Sequence, residues 1–196
     1  RLPDFLRLVE ALTRRVSVWV GALVSIEQVP ALLGDHRRRE ASRRLATEVP
    51  WCEGVLRLLE TTAYAGLPAH RPGWLAERLG IDGANEARCL LALDEAGVIT
   101  WDGTHYRAAA PLTVDMAGAP ELVRALKSWW LDVTRARVVD PRPDDLLSYN
   151  VISLSKADLE RLRQLHLAYF RDVRALVAAS EPVECAALVN VHLVTF

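Results

Sequence analysis

With 196 residues, 24 Lys plus Arg against 25 Asp plus Glu, and 51% hydrophobic residues, the chain has apolar material for one medium core or two small ones. That excludes a disordered polymer. A formal net charge of −1 and a pI near 6.6 exclude a global attraction to phosphate backbones or anionic lipid, so any nucleic-acid contact is local.

Apolar residues recur at Phe5, Leu8, Val9, Leu12, Val16, Val20 and Leu23, the 3.6-residue period of an amphipathic helix over Phe5 to Val24. Gly34 and Asp35 punctuate, and Asp35 caps a second helix through the arginine-rich stretch to about Thr47. A third helix is expected from Trp51 to about Ala63, burying Cys52, Val55, Leu56 and Leu59 before Gly66-Leu67-Pro68 stops it. Pro72 to Leu79 reads as a short helix, Gly80 to Gly83 as a turn, and Ala84 to Ala96 as a helix stopped by Gly97. Val98 to Trp101 and Thr104 to Arg107 then form a hairpin across Asp102-Gly103. Helix, turn, helix, hairpin is the order of a winged helix-turn-helix.

Pro111 to Gly118 is a connector, and Pro120 opens a helix to about Val138. After the loop at residues 140–145, Tyr149 to Leu154 reads as a strand, Ser155 to Ala179 as a long helix with a Ser155/Asp158 capping pattern, and Val183 to Phe196 as a strand. The expected class is mainly α with a small β part: a winged helix-turn-helix followed by a strand-helix-strand unit. The expected domains are N-terminal helices over 1–48, a winged helix over 49–110 and an α/β regulatory unit over 111–196.

Motifs for catalysis are missing. There is no G-x-S-x-G elbow, no P-loop and no G-x-G-x-x-G fingerprint, and Ser155 is explained as a helix cap. His36, His70, His105, His166 and His192 never stand at metal-ligand spacing, so neither an enzyme nor a metal or other cofactor is expected. Cys52, Cys89 and Cys185 are dispersed, odd in number and set among apolar residues, the pattern of reduced thiols in a cytoplasmic core. No apolar run approaches the ~18 residues of a membrane span. The start at Arg1-Leu2-Pro3-Asp4 and a single methionine, Met116, predict that the chain begins inside a longer protein.

Two clusters suggest binding. Arg37, Arg38, Arg39, Arg43 and Arg44 are the only strong basic cluster and could neutralise DNA phosphates, with a solvated helix face as the plainer explanation. Trp129, Trp130, Tyr149 and Tyr169 could line an apolar ligand pocket between the winged helix and the C-terminal unit, or close a dry core there. The winged helix itself lacks a DNA reader's charge: over 71–110 four Arg and no Lys face six acidic residues, and the second helix carries Glu86, Asp94 and Glu95 against Arg88.

Val49-Pro50-Trp51, Gly73-Trp74-Leu75-Ala76-Glu77-Arg78-Leu79-Gly80-Ile81, the Leu90/Leu93/Ala96-Gly97-Val98-Ile99 run, and Trp130 with Arg137 before Ser148-Tyr149-Asn150-Val151 carry a resemblance. From about Pro50 to Phe196 the chain resembles the C-terminal domain of unknown function of predicted bacterial regulators with an N-terminal Cro/repressor-type helix-turn-helix. The resemblance implies DNA binding by the parent protein; together with a winged-helix topology that lacks a basic recognition helix it leads to the expectation of a cytoplasmic regulatory and dimerisation module, and the aromatic cluster adds the expectation of a small-molecule or protein effector. The apolar helix Phe5 to Val24 is the expected contact of a homodimer.

Overall fold

The structure, a computed structural model, describes residues 4–5, 16–33, 36, 45, 48–109 and 119–196. It is mainly helical, with one small antiparallel sheet. In chain order the elements are α1 (Val16–Gly21), a 3-10 turn at Ile26–Gln28, α2 (Cys52–Leu59), α3 (Thr62–Ala65), α4 (Trp74–Leu79), α5 (Gly83–Glu95), β1 (Ile99–Trp101), β2 (Tyr106–Ala108), α6 (Pro120–Val139) and α7 (Lys156–Ala178).

The core lies among α2, α4, α5 and β1. Val55, Leu56, Leu59, Leu75, Cys89, Leu90, Leu93 and Ile99 are buried together with the Trp51 and Tyr64 rings. Each such aliphatic side chain contributes about 1.5–3 kcal/mol through removal from water. The element ends follow local chemistry. Asp82 caps α5 by accepting from the Asn85 N–H. The chain then reverses through Gly97, whose φ of +68° only glycine adopts without strain, while Val98 N–H closes on Leu93 O. Ser155 Oγ accepts from Asp158 N–H at the start of α7, as its spacing implied.

The first helix ends at Gly21 rather than Val24, where a turn returns Leu23 and Val24 N–H to Val20 O. Its residues 6–15 lie outside the described residues, as do most of the second expected helix and the connector at 111–118. The third helix is two. Thr61 donates its hydroxyl to Leu58 O and accepts from Tyr64 N–H, which ends α2 and starts α3.

The hairpin also differs from the two-residue turn that Asp102-Gly103 suggested. Trp101 pairs with Tyr106, so residues 102–105 form the loop. Asp102 Oδ1 accepts from the N–H groups of Thr104 and His105, which draws His105 out of the strand and into the core, where its Nε2 donates to Leu67 O at 3.0 Å.

The strand-helix-strand unit is not formed. Residues 149–154 and 183–196 form neither helix nor strand, although their side chains are strand-like. An apolar β-rich run becomes a strand only when another backbone takes its N–H and C=O groups in succession, and among the described residues no backbone pairs with these runs in that way. The C-terminal segment is instead tied by isolated bonds: Thr62 N–H donates to Val183 O, and Asn190 Nδ2 donates to Trp130 O and Thr134 Oγ1.

Gly54, in α2, marks where α6 approaches. A Cβ there would stand 2.8 Å from Leu79 Cδ2 and 3.4 Å from Trp130 Cη2. Among the described residues no helix is long and apolar enough to cross a membrane.

Candidate functional site

Beside α5 the structure assembles a polar cluster that no short stretch of sequence contains. Helix α4 begins at Gly73 with φ +86° and no capping side chain of its own. The acceptor comes from α5: Glu86, only 2% exposed, accepts from Gly73 N–H at 2.9 Å and Ala76 N–H at 2.6 Å. An anionic carboxylate at a helix N-terminus satisfies orphan donors and favours the local dipole. His70 Nε2 lies 3.7 Å from Glu86 Oε1, and its Nδ1 is 3.2 Å from the hydroxyl of the fully buried Tyr64. That hydroxyl also accepts from Tyr106 N–H at 3.1 Å. All groups are satisfied when Tyr64 donates to Nδ1 and the neutral His70 ring keeps its proton on Nε2, toward Glu86.

Burial lowers the His70 pKa from its ordinary value. The Glu86 carboxylate partly opposes this and His105 adds to it. Burial likewise raises the Tyr64 phenol. His70, Glu86 and Tyr106 line a cleft of about 300 Å³ with Pro72 before α4 and Gly83, Ala87, Leu90, Leu91 and Asp94 of α5. Its carboxylate is fully engaged with backbone donors, so the cluster holds α4, α5 and the hairpin in register rather than offering a free base.

Glu86 therefore leaves the outward charge of α5, and the acidic groups that do face solvent there are Asp94 and Glu95. The four arginines of the segment are also engaged. Arg71 pairs with Glu77 at 2.9 Å and Arg107 with Asp102 at 2.8 Å. Arg78 lies 3.5 Å over the Trp74 ring and donates to Trp74 O, and Arg88 lies 5.2 Å over the Trp51 ring. The His105 N–H, then the Arg107 guanidinium and the Thr104 N–H, hold Asp102 well below the usual carboxylate range.

The arginine cluster Arg37, Arg38, Arg39, Arg43 and Arg44 lies outside the described residues. Of the four aromatics expected at a ligand pocket, Trp129 and Trp130 are half-buried, edge to face at 4.5 Å, with Trp129 also 6.2 Å from Trp51. Tyr149 is 89% exposed, and Tyr169, on α7, has its ring against Phe170. The tryptophans join α6 to the core. Neither tyrosine has a ring contact with them.

Cys52 and Cys89 are buried, and burial raises the Cys52 thiol to about 12 and raises Cys89 as well. Cys185 is exposed, against the expectation of a third core thiol, because the segment carrying it joins no sheet. Among the described residues no three His, Cys, Asp or Glu side chains gather as metal ligands.

The sequence had marked none of Tyr64, His70 and Glu86 as a group. One signal was available: a helix opening on Gly73-Trp74, without Ser, Thr, Asp or Asn at its cap, needs an acceptor from elsewhere. No curated protein and no solved structure matches the chain. Over residues 54–196, from within α2 to the last residue, the chain matches the model of a domain of unknown function, DUF4423, and it belongs to that family.

Proposed function

We propose that this chain is a regulatory and dimerisation module of a cytoplasmic bacterial transcriptional regulator, with DNA bound mainly by a helix-turn-helix upstream of it. On this reading residues 49–110 are a winged helix used as a packing scaffold, preceded by linking helices over 1–48 and followed by the regulatory unit over 111–196. The supporting observation is the engagement of Arg71, Arg78, Arg88 and Arg107 by carboxylates and indole rings around α5 and the hairpin. A helix that reads a major groove needs cations and amides free for phosphates and base edges. Here the outward groups of α5 include Leu91, Asp94 and Glu95.

A gel shift with a long duplex at low salt tests the reading, and the chain is expected to leave the duplex unshifted. A shift that weakens with salt by ~0.9 log units per phosphate contact, and vanishes when Arg37, Arg38, Arg39, Arg43 and Arg44 become Ala, would make this chain a direct DNA binder instead. The dimer component is checked separately by light scattering. A strictly monomeric chain at high concentration refutes it.

A further inference from the structure

The longest helix is the least covered. α7 has 23 residues and none is buried, although Leu162, Leu165, Tyr169, Val173 and Leu176 recur along it at spacings of three and four. Leu165 is 66% exposed, Tyr169 43% and Leu176 72%. Leu162 and Val173 are half-buried, while Leu165, Tyr169 and Leu176 stand open. Val191 to Val194 lie on another flank, where they line a cleft with Arg163, His166 and Leu167. Helices in water owe most of their stability to packing of an apolar face, so a stripe of this kind calls for a partner.

Charges at the ends of the stripe identify it. Arg161 lies one turn before Leu165, and Asp172 about one turn after Tyr169, on the same flank of the helix. Arg161 spends its charge only on the exposed Asp158 at 3.3 Å, and Asp172 has no ion pair among the described residues. An isologous antiparallel contact brings the same flank of two copies together with direction reversed. With the twofold opposite Leu167, Leu165 stands level with Tyr169 of the other copy, Leu162 with Val173, and Arg161 with Asp172, each twice. In a parallel pair the twofold runs along the seam and leaves Arg161 and Asp172 of the two copies on opposite sides of it, so the two charges do not meet.

We propose that two copies of this chain associate through α7, packed antiparallel along the stripe from Leu162 to Val173, with reciprocal Arg161–Asp172 pairs at its ends. The stripe from Leu162 to Val173 is ~18 Å long on a helix ~10 Å across, so the contact is smaller than the ~800 Å² per partner of standard interfaces. Association is therefore concentration-dependent. The proposal rests on the dimerisation reading and names its surface.

Analytical ultracentrifugation of the whole chain over a wide concentration range is the test, with circular dichroism to confirm that each variant keeps its helix content. Wild type is expected to dimerise, Leu165→Glu with Tyr169→Glu to abolish the dimer, and Arg161→Glu or Asp172→Arg alone to weaken it about tenfold. The double variant Arg161→Glu with Asp172→Arg is expected to restore it, a rescue that misfolding cannot produce. A wild-type monomer at every concentration overturns both the proposal and the dimerisation reading. A dimer indifferent to the Leu165 and Tyr169 changes overturns only this surface. Single charge reversals without effect, or a double variant no better than either single one, overturn the antiparallel pairing.

Discussion

Replacing Glu86 by Ala removes the acceptor that α5 lends to α4. Two backbone donors lose their partner: Ala76 N–H, which is buried, and Gly73 N–H, which is half-buried and within reach of water. A buried donor left unpaired costs about 1–3 kcal/mol and a lost helix cap about 1 kcal/mol, so the variant is expected to lose about 2–4 kcal/mol. For a chain of this size that is a fall of roughly 5–15 °C in Tm. Glu86→Gln keeps one carbonyl oxygen for Ala76 N–H but turns an amide toward the other donor, so it falls between the two. Urea and thermal unfolding followed by circular dichroism measure both. If Glu86→Ala stays within ~0.5 kcal/mol of wild type, as surface substitutions do, the carboxylate is not holding α4 and the account of the cluster is wrong.

Three further outcomes follow from neighbouring groups. Tyr64→Phe strands the Tyr106 N–H and removes the donor to His70, and should cost about 1–3 kcal/mol in the same unfolding assay, with no change expected if the hydroxyl is idle. Because burial depresses the His70 pKa in the fold, the unfolded chain takes up the proton first as pH falls below the ordinary 6.5. Stability tied to His70 is thus full above pH ~6.5 and is lost on acidification toward the folded value, and His70→Gln should flatten that slope. A wild type that gains stability in this window contradicts the assignment. In thiol labelling at neutral pH only Cys185 should react while the chain is folded, with Cys52 and Cys89 following on denaturation; rapid labelling of all three would refute the burial of the two core thiols.

Much of the fold is written in runs short enough to read from residues alone. The cap at Ser155, the proline that opens α6 and the glycine that reverses the chain after α5 act within about five positions of themselves, so their spacing suffices. The mainly helical class with one hairpin was legible for the same reason.

What the sequence could not decide depends on groups brought together from a distance. Glu86 counts as a surface acid along the chain, and only the approach of Gly73 and Ala76 from the preceding helix makes it a buried cap. Thr61 breaks a helix whose apolar period runs through it, because its hydroxyl can bond Leu58 O and Tyr64 N–H at once. The hairpin loop is set by Asp102 drawing in two N–H groups and by a core that takes the His105 ring. The strand-like runs at 149–154 and 183–196 show the reverse case: a strand is a property of two backbones, so alternating apolar residues state a propensity that only a neighbouring chain can realise.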